Sequence, residues 1–264
     1  MLKQKNMSRR VEIREQQTYL EARYPIKLDS DYSFIREDFG YLILSKLVYF
    51  FVIIFGRSFF KMIGKHKAIG KDNVKNIDGI GFISISNHCH FLDSVLTGTS
   101  LRNRTIWFSS MQRNFETPYV RHILRILKGF PIPNNPFGLM QIMKPVVKTI
   151  KRGNVVHFYP ESEMWHMHLG IGNFQQGAFY LAHKANCPVL PIVHLFKPRT
   201  FFGIIVSKNI LNVTTIIGEP IYADSPCIND NDYVNTASVK VMAEKAHNWM
   251  LVEMTKYKNE NNID

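Results

Sequence analysis

The sequence predicts an α/β domain (residues 65–264) carried behind an N-terminal helical segment (residues 1–64). After Gly79, short apolar runs alternate with longer amphipathic stretches, the texture of buried strands and the helices that cover them. Before it, Phe39–Phe60 is the most apolar part of the chain and shows no strand-like alternation. The length of 264 residues, 45% apolar and 20% charged, supports a core of its own and excludes disordered or collagen-like classes.

Taken in order, the first forty residues are polar, with Lys3, Lys5, Arg9 and Arg10 but no apolar run behind them, so no secretory signal is expected. In Phe39–Phe60, Lys46 interrupts and Arg57 closes the apolar stretch. The unbroken run Leu47–Gly56 is ten residues, about half of a bilayer span. An interfacial helix fits better, with Lys46 and Arg57 reaching toward headgroups and Lys61, Lys65, Lys67, Lys71 and Lys75 following on the polar side. A buried core helix followed by a basic loop is the alternative.

Strands are expected at 81–86, 105–109, 155–159, 188–196 and 212–218, with a short extended piece at 129–132. Helices are expected at 91–101, 118–128, 139–151, 177–185 and 233–258. No internal repeat or Pro/Ser-rich linker divides the chain.

The net charge of +12 points to anionic partners such as lipid headgroups or phosphorylated cosubstrates. Carboxylates are scarce in the middle: Asp78, Asp93, Glu116, Glu161 and Glu163 are the acidic residues of 76–218. Cys89, Cys187 and Cys227 form neither a disulfide framework nor a zinc motif, which fits a reducing, cytosol-facing compartment. His88/His90 and His166/His168 are His-x-His pairs, yet no third ligand stands at a recognisable spacing, so no metal is expected and a metal-dependent hydrolase is a weak rival. The cations are dispersed, which argues against a nucleic-acid-binding module, and a serine hydrolase lacks its Gly-x-Ser-x-Gly elbow.

The most informative stretch is Asn87-His88-Cys89-His90-Phe91-Leu92-Asp93, which follows a buried strand and opens a helix. Residues five apart on a helix lie about 140° from one another, so His88 and Asp93 meet only if the turn curls back. A carboxylate on Nδ1 would fix the tautomer and leave Nε2 to accept a proton. The competing reading is a first-turn aspartate beside a core histidine.

Asn87-His88-xxxx-Asp93 resembles the signature of the glycerolipid acyltransferases, the family of lysophosphatidate and glycerol-3-phosphate acyltransferases. Phe158-Tyr159-Pro160-Glu161 is similar to the family's apolar-Pro-Glu block, Phe174-Gln175-Gln176-Gly177-Ala178-Phe179 to its Phe-Lys-x-Gly-Ala-Phe segment, and Val189-Leu190-Pro191-Ile192 to its closing strand. Gly129–Pro133 sits where the family has its second block. The resemblance covers about residues 65–218.

The resemblance implies a mixed central sheet flanked by helices and direct transfer of a fatty acyl chain from acyl-CoA or acyl carrier protein to a lyso-lipid hydroxyl. The acceptor implied first is 1-acylglycerol-3-phosphate. No cofactor beyond the thioester is needed. His88 would be the general base and Asp93 its orienter. Asn87, Glu161, Ser162, Asn134, Gly177, Arg125 and Lys128 would bind substrate, and the enzyme would sit on the cytoplasmic side of an anionic membrane as a peripheral or monotopic protein. Three positions depart from the pattern. The family's Glu-Gly-Thr-Arg reads Glu161-Ser162-Glu163-Met164 here, the arginine ending the second block falls near Asn134, and the lysine before Gly-Ala is Gln175. Charges linked with the acceptor's phosphate are missing, so another lyso-lipid, a glycolipid or a different lipid alcohol stands as the alternative acceptor.

Overall fold

The computed structural model describes residues 24–29, 31–62, 64–90, 92–101, 104–135, 137–166, 168–201, 204–227 and 233–263, with the backbone course alone over 198–211. The basic residues Lys3, Lys5, Arg9 and Arg10 lie outside the described residues.

Helix α1 (Phe39–Met62) starts where Asp38 accepts from the Tyr41 amide at 3.1 Å, satisfying one of the free N–H groups of the first turn. It runs unbroken through Lys46 for 24 residues, about 36 Å at the helical rise. It is therefore long and apolar enough to cross a membrane by length and composition, which the ten-residue run Leu47–Gly56 did not suggest. Lys46 does not end it, because an exposed lysine costs a helix little.

The helix is apolar all round, and its two faces meet different surroundings. Tyr41, Ser45 and Phe60 are buried against the domain, where the Ser45 hydroxyl donates to the Ile126 carbonyl at 2.7 Å and the Tyr41 hydroxyl to that of Arg125. Ile43, Leu47, Phe51, Ile54, Phe55 and Phe59 are exposed. Only 11% of the most apolar window is buried, which excludes the core-helix alternative.

Among the described residues, one seven-stranded sheet has the order β1-β7-β6-β2-β5-β3-β4. The strands are β1 (Lys67–Ile69), β2 (Phe82–Ser86), β3 (Ile106–Met111), β4 (Gly129–Ile132), β5 (Val155–Phe158), β6 (Val189–Phe201) and β7 (Ile204–Ile217). All neighbouring pairs are parallel except β6 with β7. The sheet is thus mixed and flanked by helices, as the resemblance implied. β2 is buried at every position and β5 likewise, as expected of central strands covered on both faces.

The helices that follow α1 are α2 (Asp72–Lys75), α3 (Asp93–Ser100), α4 (Gln112–Phe115), α5 (Val120–Ile126), α6 (Gly138–Lys151), α7 (Gly177–Ala185) and α8 (Thr236–Asn261). Asn235 caps α8 by accepting from the amides of Ala237 and Ser238 at 3.0 and 3.2 Å, and the stripe Val239, Met242, Ala246, Met250 and Met254 is buried in the core.

Two expectations are corrected. The lysine-rich stretch 65–75 does not simply trail α1: it supplies β1, paired in parallel with β7 through Lys67↔Thr214, a strand too short for periodicity to reveal. β6 and β7 extend past the expected 196 and 212 into a hairpin with irregular register at Pro198–Thr200.

Candidate active site

The loops that matter leave the C-terminal ends of β2 and β5, the usual ligand edge of a parallel sheet, beside β6. Asn87 follows β2, its side-chain amide serving as a strand partner. Its Nδ2 donates to the His194 carbonyl at 2.9 Å and its Oδ1 accepts from the His194 amide at 2.8 Å. Fully buried, Asn87 ties the loop to β6 with both side-chain ends, so it braces the site rather than facing substrate.

Beyond it the chain curls around one oxygen. Asp93 Oδ2 accepts from His88 Nδ1 at 3.0 Å and from the amides of Cys89 and His90 at 2.8 Å each. These two amide bonds turn the loop back over the first turn of α3, which lets residues about 140° apart on an ideal helix meet. Asp93 is wholly buried while the His88 side chain is 24% exposed. With Nδ1 committed to the carboxylate, Nε2 is the nitrogen left to exchange protons with a ligand. Asp93 Oδ1 is buried without a hydrogen-bond partner.

Glu161, after β5, completes the inner wall. Its Oε2 accepts from the Gly172 amide at 2.7 Å, while Oε1 is buried and unpartnered. Burial pushes its carboxyl up to about 7, against the pull of the Gly172 and His88 backbones. A β-carbon on Gly172 would come within 2.9 Å of Oε2, so a side chain there would push on the Glu161 carboxylate. The Trp165 amide donates to the His88 carbonyl at 2.8 Å, laying the loop after Glu161 beside the histidine. Ser162 adopts φ +59°, the left-handed region that favours glycine, which explains why a glycine at this place suits the fold.

The remaining expected site residues have other neighbours. By strand register Lys128 stands level with Trp107, Val156 and Ile83, roughly 16 Å of strand below His88 at the strand rise. It is buried, its ammonium lies 4.9 Å from the Trp107 ring centroid, and burial lowers its affinity for the proton. Arg125 is spent on the N-terminal segment, donating to the carbonyls of Ser33 and Phe34 at 2.9 and 3.1 Å and to the Tyr32 hydroxyl. Both cations are thus engaged within the protein, of which a basic helix face read from sequence gave no hint. Asn134 is an exposed turn residue whose amide donates to Gln112 at 3.0 Å. Gly177 opens α7, where a β-carbon would just touch Leu139.

Other histidines sort themselves by burial. His194 bonds Thr97 and Thr215 at 3.0 Å each, and His66 shares the Thr215 hydroxyl at 2.9 Å. Burial drives both imidazoles down to about 4, so they are neutral core groups. The ring of His166 lies 6.0 Å from that of His90. Among the described residues no cluster of three or more His, Cys, Asp or Glu is placed to hold a metal. Burial pushes the Cys89 thiol well up, which makes it inert as a nucleophile.

One site residue carried no role in the sequence reading. The Tyr159 ring is stacked on His88, centroids 4.0 Å apart at 22°. Its position beside Pro160-Glu161 was the available signal.

Residues 65–195 match the family model described as Acyltransferase. The chain is 30% identical over 145 residues to the chloroplastic 1-acyl-sn-glycerol-3-phosphate acyltransferase BAT2 of Brassica napus, covering 53% of this chain and 40% of that protein. It is 28% identical over 155 residues to the chloroplastic enzyme of the same description, LPAT1, of Arabidopsis thaliana, covering 57% and 42%. The matches thus span about two-fifths of these curated relatives. In fold it resembles the crystal structure of the 1-acyl-sn-glycerophosphate acyltransferase PlsC from Thermotoga maritima, with a TM-score of 0.54, 18% identity and 83% of each chain covered. Motif, sheet and family match thus agree in placing residues 65–195 among the acyltransferases, with the glycerolipid acyltransferases as the group this chain resembles.

Proposed function

We propose that the protein is an O-acyltransferase that moves a fatty acyl chain from an acyl-CoA or acyl carrier protein thioester to the free hydroxyl of 1-acylglycerol-3-phosphate, a step of phospholipid synthesis. The observation that carries this reading is the His88–Asp93 pair, with the buried carboxylate on Nδ1 at 3.0 Å. His88 Nε2 takes the proton as the acceptor oxygen attacks the thioester carbonyl. The C–O bond forms, the tetrahedral intermediate collapses with breakage of the C–S bond, and the thiolate receives the proton from the imidazolium. Asp93 holds the ring and offsets its transient positive charge. Glu161, with one oxygen unpartnered, hydrogen-bonds the acceptor. No cofactor is required beyond the thioester.

The exposed apolar face of α1 supports residence on the cytoplasmic side of a membrane, with Lys46, Arg57 and Lys61 toward anionic headgroups. Phe60, at the end of α1, shares a buried cluster with Cys89, so a bilayer-bound α1 would bring the His88 loop close to its lipid substrates. One observation favours a different acceptor: Met164, Asn134 and Gln175 stand where the family pattern has cations.

Thiol release from palmitoyl-CoA and from palmitoyl-acyl carrier protein, with 1-acylglycerol-3-phosphate, lysophosphatidylcholine and a lyso-glycolipid as acceptors, tests all of this. Release that depends on 1-acylglycerol-3-phosphate and is abolished in His88→Ala is expected. An active His88→Ala protein would overturn the mechanism, and dependence on another acceptor would overturn the substrate.

A further inference from the structure

We propose that Tyr159 is a positioning residue for the reaction: its ring is the platform that holds the His88 imidazole in its productive orientation, backed from below by a buried Ser84–His157–Ser86 brace. The inference rests on His88 being the proton acceptor of the proposed function.

A single hydrogen bond from Nδ1 to Asp93 fixes one direction of the ring and leaves it able to pivot about that bond, since the terminal torsion of histidine is broad. A partner on the flat face removes the pivot. Tyr159 supplies one at 4.0 Å and 22°. The platform is itself fixed. The His157 ring meets Tyr159 nearly at right angles, centroids 4.7 Å apart at 80°. His157 is held at both nitrogens, by Ser84 at 2.9 Å and by Ser86 at 3.2 Å, and all three residues are fully buried. The Ser86 hydroxyl also contacts the Asn87 carbonyl at 3.0 Å, so the brace reaches the loop that carries His88.

Two physical consequences follow for the transition state. Nε2 stays aimed along the proton-transfer path, where small misplacements are expensive. The imidazolium formed there faces an electron-rich ring, a favourable cation–π arrangement. Burial, with Asp93 nearby, raises the Tyr159 hydroxyl well above its ordinary value, so the ring remains a neutral phenol and the hydroxyl is not the working part.

The test is steady-state kinetics with palmitoyl-CoA and 1-acylglycerol-3-phosphate, comparing wild type, Tyr159→Leu, Tyr159→Met, Tyr159→Phe and His88→Ala, with thermal melting of each. Tyr159→Leu and Tyr159→Met are expected to lose roughly a hundredfold in kcat with little change in either KM, and Tyr159→Phe to retain most of the wild-type kcat. The methionine variant fills the space without a flat face, which keeps the comparison valid if the leucine variant misfolds. Near-normal kcat in the leucine or methionine variant overturns the inference. So does a loss that falls on KM, which would place Tyr159 on substrate, or a phenylalanine variant as impaired as leucine, which would give the work to the hydroxyl. An inactive wild type or an active His88→Ala removes the base assignment and this inference with it. An active wild type, an inactive His88→Ala and an unimpaired Tyr159→Leu remove this inference alone.

Discussion

Replacing Asp93 by asparagine separates the charge of the orienting group from its shape. In the native loop one carboxylate oxygen serves the imidazole and the amides of Cys89 and His90 together, while the other is buried without a partner. The side-chain amide oxygen introduced by Asp93→Asn can still accept from the two backbone amides, so the loop keeps its curl. The negative charge opposite the imidazolium is lost. At 3.0 Å an ion pair near a protein surface is worth roughly 5 kcal/mol. A neutral hydrogen bond recovers about 1 kcal/mol of that. A net loss of roughly 4 kcal/mol from the transition state corresponds to a fall of about 10³ in kcat. The new NH2 group, placed where Oδ1 is buried, costs a further 1 to 3 kcal/mol or so of folding stability, so urea unfolding must accompany the thiol-release assay. A folded Asp93→Asn protein with kcat within about tenfold of wild type would refute the role of the charge.

Further outcomes follow from burial. The raised Glu161 carboxyl, about 7 folded against 4.5 in the free group, favours the protonated state in the fold, so its cost to stability appears as pH rises from 4.5 through 7; Glu161→Gln should remove that slope and gain on the order of 3 kcal/mol at about pH 8, and identical pH–stability curves would exclude it. His194, held near 4 against 6.5, acts in the opposite sense, its contribution complete above 6.5 and lost as pH falls toward 4; His194→Gln should flatten the acid limb of urea unfolding, and an unchanged limb would count against it. On α1, Phe51→Glu with Phe55→Glu replaces exposed apolar side chains and should abolish cosedimentation with anionic vesicles while leaving the melting temperature near wild type; retained binding would take the membrane contact away from this face.

Most of the order of helices and strands was legible, because a central strand such as Phe82–Ser86 reads as a short buried run and a half-covered helix such as Gly138–Lys151 leaves a helical period. The His88–Asp93 pair was legible through a motif, but its geometry was not: spacing alone sets the two residues on different sides of a helix, and only two backbone amides bonded to the same carboxylate oxygen bring them together. Arg125 and Lys128 went the other way. Their spacing and charge were plain, whereas their engagement with Ser33, Phe34 and the Trp107 ring depends on residues distant in the chain.

The sequence by itself determined the class of domain and the apolar character of α1, which depend on composition and local order, while the chemistry offered by Asn87, His88, Asp93 and Glu161 was legible only through the resemblance of their motifs. Tertiary structure alone decided that Asn87 braces β6, that α1 keeps an apolar face uncovered, and that Tyr159 lies flat on His88. Each of these depends on which segments far apart in the chain meet and which do not, and pairing of that kind leaves no periodicity in one sequence for local physics to read.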